Sequence, residues 1–185
     1  MATLTTEADR LNRLVENVLD FAKLEKRSAL ASAKRVPVAE VLDGVRLTWA
    51  DRLAAEGFEL VLEADTPPDA AVIADPRVVA QVLGNLIDNA RKYAKDSADR
   101  RVWIRAAITG NRVSLAVEDR GPGVPAGDRK SVFRPFTRGS DTADSGGAGL
   151  GLSLARQWAE LFGGTLSYRP SDTPGARFVL ELPAA

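Results

Sequence analysis

From about residue 119 to 149 the chain runs through Gly, Pro, Ser and Asp for longer than ordinary connections in compact domains extend. A fold that accepts this chain must carry a large loop at one rim, and such loops are usually lids or binding loops. The flanking segments narrow the choice. Residues 101–108 and 112–118 alternate apolar and polar positions around Thr109-Gly110-Asn111, the pattern of a β-hairpin. Beyond the loop, residues 150–161 read as a helix ended by Gly163-Gly164. Strands 165–168 and 176–182 then bracket the turn at 171–175. Upstream, helix 38–56 stops at Gly57, and short strands follow at 58–63 and 72–74. Asp75-Pro76 opens the next helix, with Asp as N-cap and Pro where a missing N–H costs nothing. This order predicts an α+β two-layer sandwich: a mixed, mostly antiparallel sheet covered by helices on one face.

Residues 4–31 read as one long amphipathic helix preceding the sandwich. Leu4, Ala8, Leu11, Val15, Val18 and Ala22 form one apolar seam, and Leu14 and Phe21 widen it into a stripe suited to a helix bundle. That stripe fits a helix docked on its own domain or half of a helical hairpin. The Ala/Ser/Lys/Arg-rich stretch after it divides the chain into 1–31, a linker at 32–37 and a domain at 38–185. The abrupt start at Met1 suggests a piece of a longer protein.

Composition removes whole chemistries. The 185 residues hold no Cys and no His. Disulfides, thiolate nucleophiles, Cys/His zinc sites and imidazole bases are therefore excluded from this chain. Lys+Arg and Asp+Glu are 25 each, so the net charge is 25 − 25 = 0 and non-specific nucleic-acid binding is not expected. No apolar run approaches a membrane span and no signal peptide is visible. Direct membrane contact is thus not expected, and the absence of cysteine fits a reducing cytoplasmic setting.

Four constellations carry chemistry. Asn85, Asn89 and Lys92 share one helix face beside Tyr93. An amide oxygen is a hard ligand suited to Mg²⁺ and an ammonium suits a phosphate, though such a row also fits a solvated face. Asp119-Arg120-Gly121-Pro122-Gly123 follows a strand directly, where a fixed carboxylate can accept from an exocyclic amine; by itself it is also a common turn. Gly146-Gly147-Ala148-Gly149-Leu150-Gly151-Leu152 runs into a helix, whose free N–H groups favour phosphate. Phe133 and Phe136, with Arg138, sit inside the lid, either docking it or stapling it locally.

In chain order the four segments resemble the N, G1, F and G2 boxes of the sensor histidine kinase ATP-binding domain. Its superfamily includes the gyrase, chaperone and mismatch-repair ATPases. The resemblance covers residues 38–183, and the 4–25 helix is similar to the second helix of the family's dimerisation and phosphoacceptor hairpin. It implies ATP and Mg²⁺ as cofactors. Asn89 would ligate the metal with Asn85 beside it, Lys92 would meet phosphate, and Tyr93 would line the pocket. Asp119 would accept from the adenine amine, with Gly121 and Gly123 beneath the base. Phe133 and Phe136 would anchor the lid, and Arg138 would be its cation nearest the γ-phosphate. Gly147, Gly149, Gly151 and Leu152 would cap the phosphates. The catalytic set would be Asn89, Lys92 and Arg138.

Two departures stand out. Gly175-Ala176 replaces the Gly-Thr frequent in the family, and the hairpin helix that bears the acceptor histidine is missing. Hydrolytic members have Glu where Asn85 stands. An amide takes no proton from water at neutral pH, so the expectation is phosphoryl transfer rather than hydrolysis. The implied partners are a phosphoacceptor histidine hairpin, a response regulator receiver domain and a second copy meeting through the N-terminal helix. With no histidine of its own, the chain should bind the phosphoryl donor and not phosphorylate itself.

Overall fold

The structure, a computed structural model, describes residues 30–137, 149–171 and 173–185. The long helix read over 4–31 lies outside them apart from its last two positions. The described elements are β1 (Lys34–Pro37), α1 (Val38–Ala55), β2 (Glu59–Asp65), β3 (Ala71–Ala74), α2 (Pro76–Tyr93), β4 (Arg101–Thr109), β5 (Arg112–Glu118), α3 (Gly151–Leu161), β6 (Thr165–Tyr168) and β7 (Arg177–Pro183).

Five strands form one sheet in the order β2-β4-β5-β7-β6, and β1 pairs with β3 in a separate two-stranded sheet. The hairpins β4–β5 and β6–β7 are antiparallel, as is β5–β7. The pair β2–β4 is parallel, and the chain makes the crossover through β3 and α2. A parallel pair needs such a crossover because a tight turn can only reverse the chain.

Strand alternation sorts the sheet into two faces. Val102, Ile104 and Ala106 of β4, Val113, Leu115 and Val117 of β5, and Phe178, Leu180 and Leu182 of β7 enter the core. They meet Val79, Val82, Leu83, Leu86 and Ile87 of α2 and Ala155, Trp158 and Ala159 of α3. The described helices α1, α2 and α3 belong to this one layer, so the architecture is the mixed two-layer sandwich expected from the element order.

Part of the stretch assigned by composition to a linker, 32–37, is built into the domain. Lys34–Pro37 forms β1, in register with β3 from Lys34↔Ala74 to Pro37↔Ala71, and Val36 is buried. Its ladder supplies contacts that the Lys-Arg composition does not advertise. At the other edge of that small sheet, Asp75 caps α2 by accepting from the Arg77 N–H at 2.9 Å, with Pro76 in the first turn. The Arg77 guanidinium returns to the same carboxylate at 2.7 Å and holds it below the usual carboxylate range. α2 is thereby fixed at its start, which sets where Asn85, Asn89 and Tyr93 emerge.

Candidate nucleotide site

The C-terminal half of α2, the turn after β5 and the start of α3 enclose a cleft of about 280 Å³. Asn89, Tyr93, Asp119, Gly123 and Leu152 line it, all from the sequence-derived set. Val124, Val132, Ala176 and Phe178 supply apolar walls that motif reading did not select. Phe178 was recoverable, since the alternation along β7 turns it inward. Val132 follows from its place beside Phe133. Asp128 is a second acid on the cleft, and its Oδ2 is buried with no hydrogen-bond partner among the described residues.

Asp119 is 4% exposed at the floor of this cleft. Its Oδ1 accepts from the Gly121 N–H at 2.8 Å and from the Ala176 N–H at 3.1 Å. Its own N–H donates to the Ala176 carbonyl at 3.0 Å. Oδ2 has no hydrogen-bond partner among the described residues, so an uncommitted carboxylate oxygen is presented in an apolar cleft. Burial pushes the carboxyl above its ordinary value, and the Gly121 and Ala176 N–H groups pull the other way. The departure at 175–176 reads differently in three dimensions. Ala176 lacks a hydroxyl, but its main chain holds Asp119 on both sides.

Two glycines make this contact possible. Gly175 has φ +129°, and a Cβ there would lie 1.9 Å from the Asp119 carbonyl oxygen. Gly123 has φ +75°, and a Cβ there would lie 2.7 Å from the Gly175 carbonyl oxygen. Gly121 is packed against the Tyr93 carbonyl, which ties the turn to the end of α2.

The loop leaves and returns through a closed neck. The Phe136 N–H donates to the Gly149 carbonyl at 3.0 Å, and Gly149 is packed against the main chain of Phe136 and Thr137. Phe133 is held inside, edge-on to Phe178 with ring centroids 6.1 Å apart. Phe136 is 73% exposed and takes a left-handed φ of 60°. Of the two lid aromatics, only Phe133 is anchored against the core. Arg138 and Gly147 lie outside the described residues.

Asn85 and Lys92 do not line the cleft. Asn85 donates its amide N–H to the Gly151 carbonyl at 3.3 Å, so α2 holds the first residue of α3. Lys92 is 2.5 Å from Asp88, which also takes Arg91 at 2.8 Å. Burial works to raise the Asp88 carboxyl, but the two cations hold it below its ordinary value. Asn89 faces the cleft, and its amide has no hydrogen-bond partner among the described residues. Its oxygen therefore fits a divalent cation. Those residues contain no cluster of three acidic groups able to hold a metal. A metal here would take its remaining oxygens from phosphate and water, the habit of Mg²⁺.

An apolar slot floored by a buried carboxylate, roofed by a loop neck and bordered by an amide-bearing helix defines a nucleotide-binding α/β sandwich. Residues 74–185 match the family described as histidine kinase-, DNA gyrase B-, and HSP90-like ATPase, and the chain belongs to that family. The sensor protein KdpD of Mycobacterium tuberculosis is 35% identical over 188 residues, covering 100% of this chain and 21% of that protein. The crystal structure of full-length ShkA in complex with AMPPNP has a TM-score of 0.78 and 29% identity, over 100% of this chain and 38% of that one. The Acinetobacter baumannii histidine kinase AdeS has a TM-score of 0.71 and 26% identity, over 98% of this chain and 82% of that one. The chain carries the ATP-binding domain that these sensor kinases share, and it spans about a fifth of the KdpD length. No helix among the described residues is long and apolar enough to cross a membrane.

Proposed function

We propose that this domain binds ATP with Mg²⁺ in the α2–β5–α3 cleft and presents the γ-phosphoryl group to a histidine supplied from outside the chain. The observation that carries the reading is Asp119, whose Oδ2 has no hydrogen-bond partner among the described residues and lies in an apolar slot. Such an oxygen accepts from the exocyclic amine of adenine and is repelled by a 6-oxo purine. Val124, Val132 and Phe178 exclude water from the base, which strengthens that one polar contact.

Toward the phosphates the work is positional. Asn89 offers an amide oxygen to Mg²⁺, which would neutralise phosphate charge when bound. Gly149 and Gly151 leave main chain at the start of α3, where N–H groups meet anions. Lys92 reaches phosphate by leaving Asp88. Leu152 closes the cleft wall, and the family resemblance would add Arg138 and Gly147 as phosphate contacts. Phosphoryl transfer requires little more than this alignment and charge compensation.

Asn85 favours a kinase over a hydrolase. Its amide donates to the Gly151 carbonyl, a bond that a carboxylate could not make, and it cannot deprotonate water. In the longer protein the domain would work with a histidine hairpin and pass the phosphoryl group to a response regulator receiver domain. The 1–31 segment would complete a homodimer, and the ATP-binding domain would face the cytoplasm.

The test combines the purified chain, labelled ATP, Mg²⁺ and a separately added hairpin containing a histidine. Label should move to the hairpin in acid-labile, base-stable form, and none should remain on this chain. An acid-stable phosphoprotein, or rapid ATP hydrolysis independent of the hairpin, would overturn the reading.

A further inference from the structure

Behind the cleft, on the face of the sheet opposite the described helices, lies a group that the nucleotide site does not use. Glu118 is the last residue of β5, opposite Trp103 of β4 and Arg177 of β7. It is only 4% exposed, although it sits on the outer face. Arg105 of β4 reaches its Oε2 at 2.6 Å, and Arg120 binds its Oε1. The same Arg120 Nη1 donates to the Asp119 carbonyl at 3.2 Å. The Arg120 guanidinium stacks over Trp103, 4.1 Å from the ring centroid, with those of Arg101 and Arg105 at 4.8 and 5.6 Å.

The geometry points to Glu118 and Arg120 as positioning residues for recognition of the nucleotide base, acting through Asp119. The inference rests on the reading of Asp119 given above. The ladder pairs of β5 with β4 and with β7 both end at Glu118. Asp119 is the first residue beyond them, and on the Ala176 side its N–H is still tied to the Ala176 carbonyl. Its own carbonyl is gripped by Arg120, which simultaneously grips the residue before Asp119. That two-point hold fixes the peptide plane from which the Asp119 side chain enters the cleft. Trp103 limits where the guanidinium can lie, and Arg105, itself 2.7 Å from Glu63, limits Glu118. Strand alternation places the hold behind the sheet and the carboxylate it aims in front.

The experiment is a double-mutant cycle read by direct titration of the 185-residue chain with ATP and with inosine triphosphate, which lacks the 6-amine. The variants are Arg120→Met, Asp119→Asn and both together. Arg120→Met should lower the preference for ATP over inosine triphosphate by about tenfold, the scale of one well-aligned hydrogen bond. In the Asp119→Asn background the same substitution should change nothing, because its effect travels through that carboxylate. A structural role alone would lower the thermal midpoint and leave the base preference intact. An equal effect of Arg120→Met with and without Asp119, or an unaltered preference, would overturn the inference. If Asp119→Asn alone preserves the preference, the reading of Asp119 fails first and this inference falls with it. Should Arg120→Met not fold, the near-isosteric Glu118→Gln carries the same cycle with the same outcomes.

Discussion

Glu118 and Asp119 are neighbours in sequence, equally buried at 4% exposure, and they are handled in opposite ways by the two faces of one sheet. On the outer face, Glu118 meets two guanidinium groups. On the inner face, Asp119 meets two backbone N–H groups through one oxygen, and the other has no partner among the described residues. Full compensation makes a carboxylate part of the scaffold. Partial compensation in an apolar slot leaves it to be completed by a ligand. Under the proposed function, the contrast separates an acid left open to a base from one committed to the scaffold.

The largest expected effect separates the two directly. Asp119→Asn should weaken ATP binding by about a hundredfold, since a donor then faces the adenine amine. It should not destabilise the free chain, because Asn keeps an oxygen for the Gly121 and Ala176 N–H groups and removes a charge whose burial is unfavourable. Calorimetric titration and urea unfolding check the two halves; a large loss of stability would break the comparison.

Glu118→Gln should do the reverse. It should cost about 1–3 kcal/mol of stability by leaving Arg105 and Arg120 under-compensated, with a smaller loss of ATP affinity. Urea midpoints at unchanged m would measure it. Equal losses of affinity in the two variants would erase the distinction between scaffold and reader.

pH should divide the same two functions. Asp119 is raised above 3.8, so the folded state takes up its proton before the unfolded chain does, and acidification through that value relieves its unfavourable burial. Asp75 and Asp88 are lowered, so their stabilisation is present above 3.8 and lost only as pH falls through their folded values. ATP affinity should therefore weaken on acidification before the fold does, and Asp119→Asn should flatten that dependence. Titrations from pH 7 to pH 4 against near-UV dichroism decide it. Coincident loss of binding and fold would count against it.

The smallest effect belongs to the rim of the outer face. Arg101 lies 2.7 Å from Asp99 and, through its hydrogen bond, lowers that carboxyl to about 2. The pair is solvent-exposed and screened, so Asp99→Asn should move the thermal midpoint by only about 1–2 °C at neutral pH. A larger shift would mean that the outer face is cooperative out to its edge.

Much of this was legible from residues in a row. The Asp75-Pro76 cap, the two hairpins and the inward alternation of β4, β5 and β7 depend on neighbours a few positions apart, and short-range geometry decides them. The glycines around Asp119 were legible as a turn. That Gly175 presses on Asp119 was not, because 56 positions separate them and only the β5–β7 register joins them. The same limit hid the pairing of 34–37 with β3, which lies across α1 and β2, and the parallel β2–β4 pair. Asn85 was placed on the right helix face, but its bond to Gly151 depends on how α3 packs on α2. The exposure of Phe136 follows from a left-handed backbone turn at the lid neck, which an aromatic residue does not announce.

The order of residues alone settled what chemistry this chain lacks. Having no His and no Cys, it can hold a phosphoryl donor but offers no histidine to receive the group. It also settled the local elements, since caps, alternation and turns are short-range physics. Only the folded sheet decided which of two adjacent carboxylates is paired with guanidinium groups and which faces the cleft. Successive side chains on a strand point to opposite faces, and what waits on each face comes from strands far away in sequence.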